Sequence, residues 1–171
     1  LSRVVDGEVE VIAELGGGPN GAAIGPNGFC YVCNNGGFQW TESPDGRLWP
    51  GFEPENYSSG RIEVVDLSTR RVEVLYTHCG GQPLRGPNDL VFDSDGGFWF
   101  TDHGKQRPRE KDRTGVFYAK ADGSHIEEVI FPMEGPNGIG LSPNEKELYI
   151  AETTTGRLWA YELVGPGRLK G

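Results

Sequence analysis

Three asparagines occupy equivalent places along this chain. Asn20 lies in "GGPNGAAIGPNGFCYVCNN", Asn88 in "RGPNDLVFDSDGGFWFTDHG" and Asn137 in "EGPNGIGLSPNEKELYIAETTTG". Each follows a Gly-Pro pair, and seven residues later comes a second turn residue, Asn27, Asp95 or Asn144. The two columns differ in kind. In the second, Asn27-Gly28 and Asp95-Gly96 are the pairs that a tight hairpin turn needs at positive φ. The third copy has lost that glycine and gained a residue ("NEKE"), which predicts a longer hairpin. The first column stands at the entrance to a strand. An asparagine there either serves the turn through its tolerance of left-handed backbone or offers an amide oxygen, an uncharged ligand suited to hard cations. The residues alone leave both roles open.

A third column follows the second apolar run of each copy: Asn34, Asp102 and Glu152, with His103 next to Asp102. A polar group leaving a strand at this point either supports a ligand by hydrogen bonding or caps the next loop. His103 is a candidate acid–base group near neutral pH, against the reading of an exposed loop histidine. His78 and His125 show no partner pattern.

The elements that must carry these residues are short strands. Each copy leads to a glycine that opens another β-rich run, "GRIEVVDL" from Gly60, "GVFYAKA" from Gly115 and "GRLWAYEL" from Gly156. The first two are followed by a fourth strand candidate, "RRVEVLY" and "HIEEVIF". The asparagine intervals are 68 and 49 residues, and the longer holds an inserted loop, residues 38–57. Units of four hairpin-linked strands at this spacing predict an all-β chain of β-propeller blades. The expected division is 1–15, the end of one blade; 16–78, a blade with the insert; 79–133, a blade; and 134–171, an incomplete blade. That makes about three blades. A closed ring could then form as a homodimer of two such chains. Phe38, Trp40, Trp49 and Phe52 of the insert suggest a lid over the channel mouth or simple packing of the loop.

Composition agrees with many turns: 27 glycines and 12 prolines. The net charge of −9 argues against nucleic acid or an acidic membrane as partner. Cys30 and Cys33 sit at i and i+3 on a strand, so they face opposite ways and read as buried, reduced core residues, with Cys79 a loop thiol. With no signal peptide and no long apolar span in view, a cytoplasmic location is expected.

At the three quoted stretches the chain resembles the SMP-30/gluconolactonase (regucalcin-like) family of six-bladed β-propellers. The resemblance spans essentially the whole chain and matches the central blades of that family in order. It implies a metal-dependent hydrolase that opens a sugar lactone or related ester by metal-activated water. The cofactor implied is a divalent cation, Ca²⁺ first, with Zn²⁺, Mg²⁺ or Mn²⁺ as alternatives. Carried over by position, Asn137 and Asn88 are metal ligands, Asn88 also contacts substrate, and Asn20 lines the channel. Glu152 and Arg85 join Asn20 and Asn88 as candidates for substrate binding, and Asp102 and His103 as candidates for catalysis. The family's Glu and Asp ligands have no matching position here. The alternative to a hydrolase is a non-catalytic propeller scaffold, or an inactive piece of the hydrolase.

Overall fold

The computed structural model describes residues 1–171 and contains strands but no helix. The chain opens with a hairpin, β1 (Ser2–Val5) and β2 (Glu8–Val11), turning at Asp6 and Gly7, both at positive φ. The first of three four-stranded antiparallel sheets comprises β3 (Pro19–Ile24), β4 (Cys30–Asn34), β7 (Arg61–Val65) and β8 (Val72–Tyr76). The insert between β4 and β7 holds its own hairpin, β5 (Trp40–Glu42) and β6 (Leu48–Pro50), where the sequence suggests only a loop. A two-residue hairpin, β9 (His78–Cys79) and β10 (Gln82–Pro83), links the first sheet to the second.

The second sheet is β11 (Pro87–Phe92), β12 (Gly97–Asp102), β15 (Thr114–Lys120) and β16 (Ile126–Met133), with a small hairpin, β13 (Gln106–Arg107) and β14 (Glu110–Lys111), between its middle strands. The third is β17 (Pro136–Leu141), β18 (Glu147–Glu152), β19 (Arg157–Gly165) and β20 (Arg168–Leu169). The first strands of the three sheets lie side by side, β11 between β3 and β17.

The core lies between sheets. Every residue of β12, "GFWFTD", is buried, because a neighbouring sheet covers each face. Phe98 and Phe100 point toward the first sheet and join Tyr31, Ile62, Tyr76 and Leu84. Trp99 points the other way and joins Val116, Tyr118, Leu148 and Ile150. This is the period of two applied to a strand with two dry faces. Each large side chain buried this way contributes about 1.5–3 kcal/mol. The cysteines obey the same alternation: Cys33 belongs to the cluster shared with Phe98, while Cys30 packs with Ile12, Val32 and Val65 on the opposite face. Both are free thiols, as is the half-buried Cys79.

The hairpin tips differ as the sequence suggests. Ile24 pairs with Cys30 and Phe92 with Phe98, but Leu141 pairs with Leu148, one residue further on. Gly28 and Gly96 take positive φ in the first two turns, and Glu145 (φ 52°) takes it in the third.

Candidate active site in the asparagine column

The three Gly-Pro-Asn segments fold alike. Pro19, Pro87 and Pro136 pair with Asn34, Asp102 and Glu152 respectively. The next pairs are Ala22 with Val32, Leu90 with Phe100 and Ile139 with Ile150. The first strand therefore carries one extra residue at the asparagine each time, a β-bulge. Proline suits the spot because it has no N–H to contribute to the ladder. The bulge places Asn20, Asn88 and Asn137 at one level on three adjacent strands.

The side chains at this level interlock. Asp89 follows Asn88, and its carboxylate accepts from the Leu90 amide (2.9 Å) and from the Ile139 amide of the third sheet (3.2 Å). Thr101 Oγ1 donates to the Asn137 carbonyl (2.5 Å) and accepts from the Asp89 amide (3.2 Å). On the other side Gly21 leaves room for Asp89: a Cβ at residue 21 would lie 2.6 Å from the Asp89 Cα. Asp89, Thr101 and Thr153 lie outside the three columns that the repeat picks out. A signal was present for Asp89, which stands where the other two copies have Gly21 and Gly138.

Asn137 donates through Nδ2 to Thr153 Oγ1 (3.0 Å), which fixes the amide and leaves its Oδ1 without a donor. The half-buried Asn88 and the exposed Asn20 are engaged by no protein group through their side chains. Unengaged amide oxygens at one level fit part of the six- to eight-oxygen shell of a hard cation. No three His, Cys, Asp or Glu side chains gather into a metal-binding group.

His103 lies beside this level. Its Nδ1 donates to the Pro136 carbonyl (3.3 Å), and the ring is partly buried against Gly135. Burial, then the charges of Lys111 and Lys105, hold its pKa below the usual 6.5, so the ring is neutral at pH 7 with Nε2 free of its proton.

The column Asn34, Asp102 and Glu152 has a different task. Asp102 is buried and accepts three backbone amides, those of Arg85 (2.7 Å), Gly86 (2.7 Å) and Gly104 (2.9 Å). Asn34 Oδ1 accepts from Gly18 (2.9 Å) and Gly36 (3.0 Å), and Glu152 accepts from the Glu134 amide (2.7 Å) and Trp159 Nε1 (3.1 Å). Each side chain clamps the loop that enters its sheet, because it sits opposite the proline where ladder pairing stops. Of the two readings open for this column, the geometry favours the loop cap. Asp102 and Glu152 spend their carboxylate oxygens on these donors. Arg85 borders a cavity between the β9–β10 connection and the second sheet.

The insert leaves β4 at Asn34, at the same end as the bulges. Its root is tied to the second sheet by Lys105, whose Nζ donates to the Gly37 carbonyl (2.5 Å) and Asn35 Oδ1 (3.2 Å) and sits 4.0 Å from the Phe38 ring centroid. Burial pushes the Lys105 amine down to about 8, against the opposing charges of Glu53, Asp102 and Asp112. The hairpin beyond it exposes Trp40 and Trp49, each 59% accessible. His78 and His125 are exposed, away from the column.

The chain is similar to known proteins. The description SMP-30/Gluconolactonase/LRE-like region matches residues 3–171. Lactonase drp35 of Staphylococcus haemolyticus is 34% identical over 123 residues, covering 72% of this chain and 37% of that protein. Gluconolactonase of Zymomonas mobilis is 31% identical over 133 residues, covering 72% of this chain and 36% of that protein. The chain thus spans less than two-fifths of the length of these curated relatives. A solved gluconolactonase structure from Xanthomonas campestris superposes over 97% of this chain and 51% of its own, with a TM-score of 0.71 at 22% identity, which establishes a shared fold. The chain belongs to the SMP-30/gluconolactonase/LRE-like family.

Proposed function

We propose that this chain supplies three blades of a six-bladed β-propeller hydrolase that opens a sugar lactone or related ester in its central channel. Asn88 and Asn137 would hold a divalent cation there, Ca²⁺ first among the choices. The observation that carries this reading is the bulged column, with amide oxygens on adjacent strands that no protein donor engages. The exposed Leu158 (74%) and Val164 (62%) of the third sheet suit a further blade stacked on its outer face.

When bound, such a cation supplies Lewis acidity toward the lactone carbonyl. The chain's own residues do the rest. Thr153 holds the Asn137 amide in one orientation, and Asp89 and Thr101 lock the second and third sheets so that the asparagines keep their spacing. His103 Nε2 accepts the proton of the attacking water and returns it to the ring oxygen as the acyl C–O bond breaks. Asn20 hydrogen-bonds a substrate hydroxyl.

The test is lactone hydrolysis by the intact protein. Asn88→Ala and Asn137→Ala should each lower kcat/KM by roughly 100-fold or more without a matching loss of thermal midpoint. Undiminished hydrolysis by both variants would remove the column from the reaction.

A further inference from the structure

We infer that the cavity between the β9–β10 connection and the second sheet is a second ligand site, one for a small hydroxycarboxylate whose acid group Arg85 anchors. The cavity has a volume of about 320 Å³, at the lower end for small-molecule sites. β9, β10 and the two residues after them form one side, and Asp102, residues 112–113, β15 and β16 form the other. None of its lining residues comes from β3, β11 or β17, so it is built from other side chains than the asparagine column, although Asp102 pairs with Pro87 beside Asn88.

The available chemistry follows from what is already engaged. Asp102 borders the cavity but is filled by three amides. Asp112 is held by Arg107 (2.5 Å) and by the Lys105 amide (3.0 Å), and Arg113 at the rim pairs with Glu134 (2.9 Å). Three polar side chains remain with unused capacity: Arg85, Gln82 and Glu128. The Arg85 guanidinium enters no ion pair or hydrogen bond within the protein, although its backbone is fixed by Asp102 and by the Tyr57 hydroxyl (2.5 Å). A planar guanidinium matches a carboxylate with two parallel bonds.

Acidic Asp102, Asp112 and Glu128 around a single free cation favour one negative charge over the two of a phosphate. Gln82 can donate or accept, and Glu128 can accept from a hydroxyl. Burial, then Asp102, raises the Glu128 carboxyl above its ordinary range, which eases its sharing the cavity with a second acid. Leu84, Phe117 and Phe131 offer apolar contact for a carbon chain. A ring-opened sugar acid belongs to this class, but the inference stands without the lactonase reading of the channel.

Cys79 provides a local reporter, being a free, half-buried thiol on the cavity wall. In the intact protein, gluconate should slow alkylation of Cys79 by iodoacetamide saturably, roughly five-fold at four times its Kd by mass action. Peptide mass analysis isolates this residue from other thiols. Arg85→Gln should bind gluconate roughly tenfold more weakly and lose the protection, while its thermal midpoint holds because the side chain makes no internal bond. Asn88→Ala should keep the protection, so failure of the channel reading and failure of this one are told apart. The inference is overturned if gluconate gives no protection, if Arg85→Gln is protected equally, or if sorbitol or inorganic phosphate protects as well as gluconate.

Discussion

At the residue scale, side chains of similar type have been given different work by the hydrogen bonds around them. Asp102 and Asp89 are both carboxylates near the same bulge. Asp102 faces into its own sheet and gathers three amides, whereas Asp89 reaches across to the next sheet. Asp102→Ala should leave the Arg85, Gly86 and Gly104 amides buried without an acceptor. Each orphaned donor costs about 1–3 kcal/mol, so a loss of at least 3 kcal/mol is expected in denaturant unfolding. His103 makes a second prediction. Its pKa is lowered in the folded state by burial, so between that value and 6.5 the unfolded chain holds more protons and stability rises with pH. Lactone kcat/KM, which follows the folded enzyme, should hold across that window and fall only as the pH drops through the lowered folded-state pKa, and His103→Gln should remove that limb of the pH profile.

At the element scale, the bulge is the feature that matters. A regular strand would alternate inward and outward without interruption, and the extra residue at Asn20, Asn88 and Asn137 re-aims one side chain on each first strand. Close packing of those strands depends on small residues beside the bulge. Gly21→Ala would drive a methyl group to 2.6 Å from the Asp89 Cα, so β3 and β11 must separate. The expected cost is about 1–3 kcal/mol, read as a lowered thermal midpoint. Gly138→Ala should cost less, because its nearest contact is the Asp89 carboxylate at 3.9 Å. The repeated order of turns and strands was legible in the sequence, including the longer third hairpin. The hairpins β9–β10 and β13–β14 were not, since two-residue strands carry no periodic signal.

At the scale of the whole molecule, the three sheets meet through their first strands, and a cation shared by Asn88 and Asn137 would cross-link two of them. Ligand binding to the folded state stabilises it by mass action, about 2.7 kcal/mol at one hundred times Kd. Calcium should therefore raise the thermal midpoint of the intact protein and a chelator should lower it. In Asn88→Ala with Asn137→Ala the difference should vanish. A midpoint indifferent to both calcium and chelator in the unmodified protein would count against the cation.

The sequence by itself determined that the chain is all-β, that it repeats, and that one asparagine column is distinct from the turn column. Those properties follow from local rules: glycine at positive φ, proline without a donor, and apolar residues alternating along strands. Tertiary structure alone decided the partners. Asp102 and Glu152 became loop clamps, Arg85 was directed into a side cavity, and Asp89 became the bridge between sheets. The reason is physical. A side chain's role depends on which donors and acceptors lie within about 3 Å of it, and here the groups that bridge separate segments come from residues 12 to 50 positions away.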